Sequence, residues 1–230
     1  EPLYSEEDVT RTLNLLRPHE YEQKFKPNDG IEVQFQDAGH ILGSSIIEIW
    51  LAKSKGGQIK VVFSGDVGNA PTPLLRAPAT IKEADYLIVE STYGDREHEA
   101  VKKRQDILED VIEETVAKKG VLMIPSFAVE RTQVLLSELD ELVEHGRIPR
   151  VPVFLDSPLA IKATDVYLEH KDYFNKYTSY SIASGNEIFK FHGLKLTLTT
   201  EESKAINEVR GPKIIIAGSE MGKGYSELND

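Results

Sequence analysis

Three residues of this chain have the types and settings that metal chemistry uses. His40 stands in Asp37-Ala38-Gly39-His40-Ile41-Leu42-Gly43-Ser44, Asp66 in Phe63-Ser64-Gly65-Asp66-Val67-Gly68, and Glu90 in Leu87-Ile88-Val89-Glu90-Ser91-Thr92-Tyr93-Gly94. Each lies at the end or edge of an apolar, strand-like run. An imidazole and two carboxylates delivered from strand ends could converge on a divalent ion. With no cysteine in the sequence, any metal must take His, Asp or Glu. Each residue also has a plainer reading. His40 can serve its loop through a structural hydrogen bond, Asp66 after Ser-Gly can bond its own turn, and Glu90 can pair with Arg96 or Lys102. His98 is a further candidate ligand, against a solvated start to a helix. His145 suits the last turn of a helix, where the macrodipole favours a cation. His19, His170 and His192 read as surface residues.

A second group of residues suits phosphate. Ile124-Pro125-Ser126-Phe127-Ala128-Val129-Glu130-Arg131 places Ser126 before the start of a helix, where free N–H groups together with Arg131 would hold an anion. Ser126 as a plain helix cap is the alternative. Ser157, in Asp156-Ser157-Pro158, follows a strand in the same way. Ser219 lies in the glycine-containing stretch Ala217-Gly218-Ser219-Glu220-Met221-Gly222-Lys223-Gly224, which lacks the spacing of a P-loop.

The elements that carry these residues change character along the chain. Ser5 to Asp8 forms a capping box before Val9, Leu13 and Leu16 at helical spacing, and Pro18 ends that helix. Lys26 to Gly30 has turn chemistry. Residues 31–63 alternate apolar and polar side chains and are expected to form an antiparallel meander whose first loop bears His40. Pro71, Pro73 and Pro78 impose a non-helical crossing, and Tyr86 to Val89 reads as a short buried strand. From about residue 98 the pattern becomes helix–strand–helix: helices near 98–119, 129–145, 159–176 and 201–209, and buried strands at 121–124, 153–155 and 214–216. A weaker strand lies at 195–198. Pro125 is expected to stop the first of these buried strands. Such alternation implies right-handed crossovers and a parallel sheet, with its strand-end loops along one edge. The break near residue 95 divides a β-rich part from an α/β part.

Composition bounds the function classes. At 230 residues, with 40% hydrophobic and 28% charged side chains, the chain has material for one large domain or two modest ones. A net charge of −11 argues against a broadly basic surface of the kind that binds nucleic acid non-specifically, and leaves a local basic groove open. No apolar run reaches the roughly 20 residues of a membrane span. The acidic opening does not read as a secretory leader, and a cytoplasmic location is expected.

Taken together the phrases resemble the β-CASP branch of the metallo-β-lactamase superfamily, which includes the nuclease of the cleavage and polyadenylation machinery and its bacterial and archaeal ribonuclease relatives. The resemblance covers nearly all of residues 31–220. His40 in DAGHILGS is similar to a metal-binding histidine of that family, Asp66 in FSGDVG to an aspartate that bridges two metals, and Glu90 in ESTYGDREH to a catalytic acidic residue. PSFAVERTQ, VFLDSPLA and IIIAGSEMGKG resemble strand ends of the inserted β-CASP domain.

The resemblance implies an α/β protein. Residues 1–95 would form part of a metallo-β-lactamase domain of αββα layers. Residues 96–230 would form a β-CASP domain with a mostly parallel sheet, incomplete at its C-terminal end. It also implies two zinc ions, single-stranded RNA as substrate, endonucleolytic or 5′-exonucleolytic hydrolysis in RNA processing or decay, and a place in an RNA-processing complex or a homodimer. Glu90 would orient the site or protonate the leaving oxygen, and Ser126, Arg131, Ser157 and Ser219 would position phosphates.

The family's His-x-His-x-Asp-His string does not occur in this sequence, nor do its later histidine motifs. The expectation is therefore a middle segment of a larger enzyme, inactive as an isolated chain. The alternative is a non-catalytic scaffold subunit that binds RNA or a partner nuclease; a DNA-processing relative or another hydrolase of the fold ranks below both.

Overall fold

The computed structural model describes residues 3–96 and 101–218, and for 101–103 the backbone alone. The chain divides into two compact units, one of residues 1–38, 44–67 and 79–90, the other of residues 39–43, 68–78 and 91–230. The protein is α/β, with one mixed and one wholly parallel sheet.

The first unit begins with α1 (Glu6–Leu13), closed by the expected capping box between Ser5 and Asp8. None of its residues is buried. Five strands follow: β1 (Lys24–Asn28), β2 (Ile31–Asp37), β3 (Ser45–Ala52), β4 (Gln58–Phe63) and β5 (Tyr86–Ile88), ordered as numbered. The meander over 31–63 is β2–β3–β4, in continuous antiparallel register from Ile31↔Leu51 to Ile47↔Phe63. β1 was not expected, because Pro27 and Asn28 read as turn residues. It pairs at the sheet edge with a register shift between Phe25 and Asn28, where proline costs no ladder bond. His19 is exposed, as expected, and stacks on Phe25 with ring centroids 3.6 Å apart. β5 runs parallel to β4, and Tyr86 through Val89 are exposed, not buried. The buried apolar core of this unit is small, with Ala38, Ile46 and Val62 at its centre.

The second unit holds the larger core. Its helices are α2 (Val101–Ala117), α3 (Arg131–Glu144), α4 (Pro158–Glu169), α5 (Lys176–Ala183) and α6 (Thr200–Ala205), and its strands are β6 (Val121–Ser126), β7 (Val153–Asp156), β8 (Leu194–Leu196) and β9 (Lys213–Gly218). All strand pairs are parallel and the order is β6-β9-β7-β8. The stretch 159–176, expected to be helical, is α4 followed by a short turn of 3-10 helix (Lys171–Tyr173), and α5 begins only at Lys176. β6 runs through Pro125 to Ser126 instead of stopping. Pro125 pairs opposite Ala217 on an edge strand, where the missing N–H can point away from the sheet. The same edge position leaves Val121 and Met123 exposed, which corrects the expectation of a fully buried strand. The core joins Ile112 of α2, Leu136, Leu139 and Leu142 of α3, Val153 and Leu155 of β7, and Ile214 and Ile216 of β9. Leu74 and Leu75 pack into it from the proline-rich segment, which hydrogen bonds carry alongside Tyr173 and Asn175.

Candidate functional site

Asp66 and Glu90 are brought together in the first unit. β4 ends at Phe63, and the exposed Asp66 follows in the Ser64-Gly65-Asp66-Val67 turn. The turn is fixed from β5: Ser64 N–H donates to the Ile88 carbonyl at 2.9 Å, and Glu90 N–H donates to Ser64 Oγ at 3.1 Å. The Glu90 carboxylate accepts from the Val67 N–H at 2.8 Å. Glu90 therefore grips the backbone beside Asp66, and Arg96, one of its expected ion-pair partners, pairs instead with its neighbour Asp95. A carboxylate that accepts a main-chain N–H holds the turn in one geometry, the usual role of a residue that orients a ligand group.

His40 belongs to the second unit, in the loop 39–43. Two glycines make its setting possible. A Cβ on Gly39, which has φ +59°, would lie 2.7 Å from the Pro78 nitrogen, and a Cβ on Gly68 would lie 1.7 Å from the Gly39 carbonyl oxygen. Only glycine permits this backbone-on-backbone approach. Leu42, two residues on, donates its N–H to the Tyr167 hydroxyl at 3.2 Å, and that hydroxyl donates to Glu130 Oε2. Tyr167, on α4, is 2% exposed.

Ser126, Asp156 and Gly218 stand at the carboxyl ends of β6, β7 and β9, in register as Ser126↔Gly218 and Asp156↔Ala217. The expected strand-end edge thus exists. The hydroxyl of Thr132 donates to the Phe127 carbonyl at 2.8 Å and lies 3.1 Å from Ser126 Oγ. Ser126 is not the cap of α3: that position is Glu130, which makes no side-chain cap bond. Arg131 is the first residue of α3 and is exposed. Ser157 does cap α4, accepting from the Ala160 N–H at 3.3 Å. The Asp156 carboxylate accepts from the Thr197 and Ser203 hydroxyls, one on each oxygen, at 2.7 and 2.8 Å. Ser219 and His98 lie outside the described residues. His145 caps α3 as expected, its Nδ1 2.7 Å from the Glu141 carbonyl oxygen.

The network of Leu42, Tyr167 and Glu130 escaped sequence reasoning. Its members are far apart in the chain, and the one local signal was a Glu-Arg pair entering a helix. Glu130 has φ 66° and ψ −59°, and the Arg131 N–H donates back to the Val129 carbonyl at 2.9 Å, the geometry of a strained γ-turn. Burial pushes the Glu130 carboxyl above its usual range, opposed by the Tyr167 hydrogen bond and by the charge of Arg131.

Zinc sites use four protein ligands when structural and three when catalytic. Among the described residues no group of three or more His, Asp or Glu could hold a metal ion. The described residues by themselves do not fit a dinuclear zinc centre.

Comparison with known proteins identifies the class. Residues 132–226 match the Beta-Casp domain. The chain is 36% identical over 225 residues to a ribonuclease of Thermus thermophilus, covering 97% of this chain and 50% of that protein. It is 33% identical to the transcription termination factor FttA of Methanosarcina mazei over 94% of this chain and 34% of that protein. It is 30% identical to subunit 3 of the cleavage and polyadenylation specificity factor of Dictyostelium discoideum, over 95% of this chain and 27% of that protein. The chain belongs to the β-CASP family of the metallo-β-lactamase superfamily, whose relatives here are RNA-processing proteins. It spans half or less of the length of these relatives.

Proposed function

We propose that this chain is the segment of a zinc-dependent ribonuclease that supplies part of the metal-binding residues and a single-stranded RNA-binding strand-end edge, with hydrolysis of the phosphodiester bond belonging to the whole enzyme. The observation that carries the reading is the similarity to a ribonuclease over 97% of the chain. In this reading residues 1–95 are part of the metallo-β-lactamase domain and residues 96–230 the β-CASP domain. His40 and Asp66 are metal ligands whose partners lie outside the described residues. Glu90 is a catalytic-site residue that holds the Asp66 turn through the Val67 N–H. Ser126, Arg131, Ser157 and Ser219 contact phosphates, which position the strand without reading its bases. The substrate is single-stranded RNA, cleaved internally or from the 5′ end, in the cytoplasm and within an RNA-processing complex or a homodimer.

A metal-content experiment tests the reading. In the full-length protein, zinc measured by mass spectrometry falls in both His40→Ala and Asp66→Ala. The 230-residue chain alone binds single-stranded RNA and does not cleave it. Zinc content indifferent to both substitutions, or chelator-sensitive cleavage by the chain alone, sinks the proposal. RNA binding by a full-length protein that carries no zinc assigns it instead to the non-catalytic scaffold class.

A further inference from the structure

We propose that Phe127 is a base-stacking residue, its ring receiving a nucleobase of single-stranded RNA whose neighbouring phosphate lies against Arg131. The inference rests on the RNA reading above and adds to it a residue that recognises bases rather than phosphates.

Phe127 follows the carboxyl end of β6 and is 68% exposed. Its exposure does not come from a loose backbone. The Phe127 carbonyl accepts from both the Thr132 N–H at 3.2 Å and the Thr132 hydroxyl at 2.8 Å, and Thr132 is itself buried. A large apolar ring is thus presented to solvent from a fixed peptide, next to the three strand ends that register Ser126 with Gly218 and Asp156 with Ala217. Leu159, just past the end of β7, is also exposed and extends the apolar character of this edge.

The charge around the ring selects the partner. Residues 121–132 contain only two charged side chains, Glu130 and Arg131. The γ-turn at Glu130 sends its carboxylate to the buried Tyr167 hydroxyl, where burial favours the protonated form. Arg131 stays exposed and forms no salt bridge among the described residues. The loop therefore shows solvent an aromatic face and a cation with its one carboxylate turned inward, despite the chain's overall negative charge. An aromatic ring for stacking and a cation for the backbone are the two components with which proteins hold single-stranded nucleic acid.

Fluorescence anisotropy with a fluorescein-labelled uridine decamer tests this on the 230-residue chain. Phe127→Ala weakens decamer binding about 5- to 150-fold, the range of one lost stacking contact. It leaves binding of an abasic ribose-phosphate decamer unchanged. Phe127→Trp restores decamer binding, and its indole fluorescence is quenched on addition of the uridine decamer and not of the abasic one. Arg131→Ala weakens both oligomers alike. Unchanged decamer binding by Phe127→Ala, as expected if the ring meets another protein, overturns the proposal, and so does equal loss of both oligomers. A wild-type chain that binds neither oligomer overturns the RNA reading and this inference together.

Discussion

Glu130 and Glu90 are both carboxylates at strand-end turns, and their surroundings give them different work. Glu90 accepts a main-chain N–H and fixes the turn that carries Asp66. Glu130 is turned inward to Tyr167, whose hydroxyl also receives the Leu42 N–H from the loop of His40. Tyr167→Phe removes one oxygen and leaves a partly buried acceptor and a partly buried donor without their shared partner. The expected cost is about 1–3 kcal/mol, because stranded polar groups lose their solvation without compensation. Urea denaturation reads the stability, and amide exchange at Leu42 should accelerate. If stability is unchanged and the Leu42 amide stays protected, the hydroxyl does not hold that loop.

At the scale of elements, α3 carries the sheet-facing leucines Leu136, Leu139 and Leu142 and, beside them, Asp140 at 3% exposure. Its Oδ1 has no hydrogen-bond partner among the described residues. Burial, reinforced by the nearby Glu144 and Glu141, raises the Asp140 carboxyl to about 7. The folded chain therefore holds a proton that the unfolded chain releases near the ordinary carboxylate value. That contribution to stability is fully present below about pH 4 and is lost as pH rises through about 7. Asp140→Asn cannot ionise and should be more stable than wild type at pH 8 by on the order of 1–3 kcal/mol, with a smaller difference at pH 5. Urea midpoints at the two pH values check this. An equal difference at both would show that Asp140 does not titrate with folding.

At the scale of the molecule, the two units differ in how well they bury apolar surface. The second has a continuous core of strand and helix residues, whereas the first leaves α1 without a buried residue and exposes Tyr86 through Val89 along β5. An exposed apolar strand is a site for association with other chains. Concentration-dependent self-association of this chain is expected in sedimentation velocity. The double substitution Leu87→Lys and Val89→Lys should reduce it without shifting the thermal midpoint downward. Association that persists in the double variant would place the contact elsewhere. Among the described residues no helix is long and apolar enough to cross a membrane.

Much of this was legible in the chain itself. The alternation over 31–63 dictates the meander because a strand shows its side chains to opposite faces, and the 3.6-residue periodicity later in the chain dictates α2 and α3. The DAGHILGS, FSGDVG and ESTYG phrases pointed to the family that the comparisons then showed. What stayed hidden depends on neighbours distant in sequence. Whether Val121, Met123 and Leu87 are buried turns on strand order, since β5 and β6 lie at sheet edges, and the same order admits Pro125 and Pro27 into strands. That Glu90 would grip the Val67 N–H, and that Tyr167 would join Leu42 to Glu130, required hydrogen bonds between residues 23 to 125 positions apart. Local propensity determined the elements and their motifs. Only the tertiary structure decided which polar groups meet, because hydrogen-bond geometry is set by where the elements pack and leaves no periodic trace in the sequence.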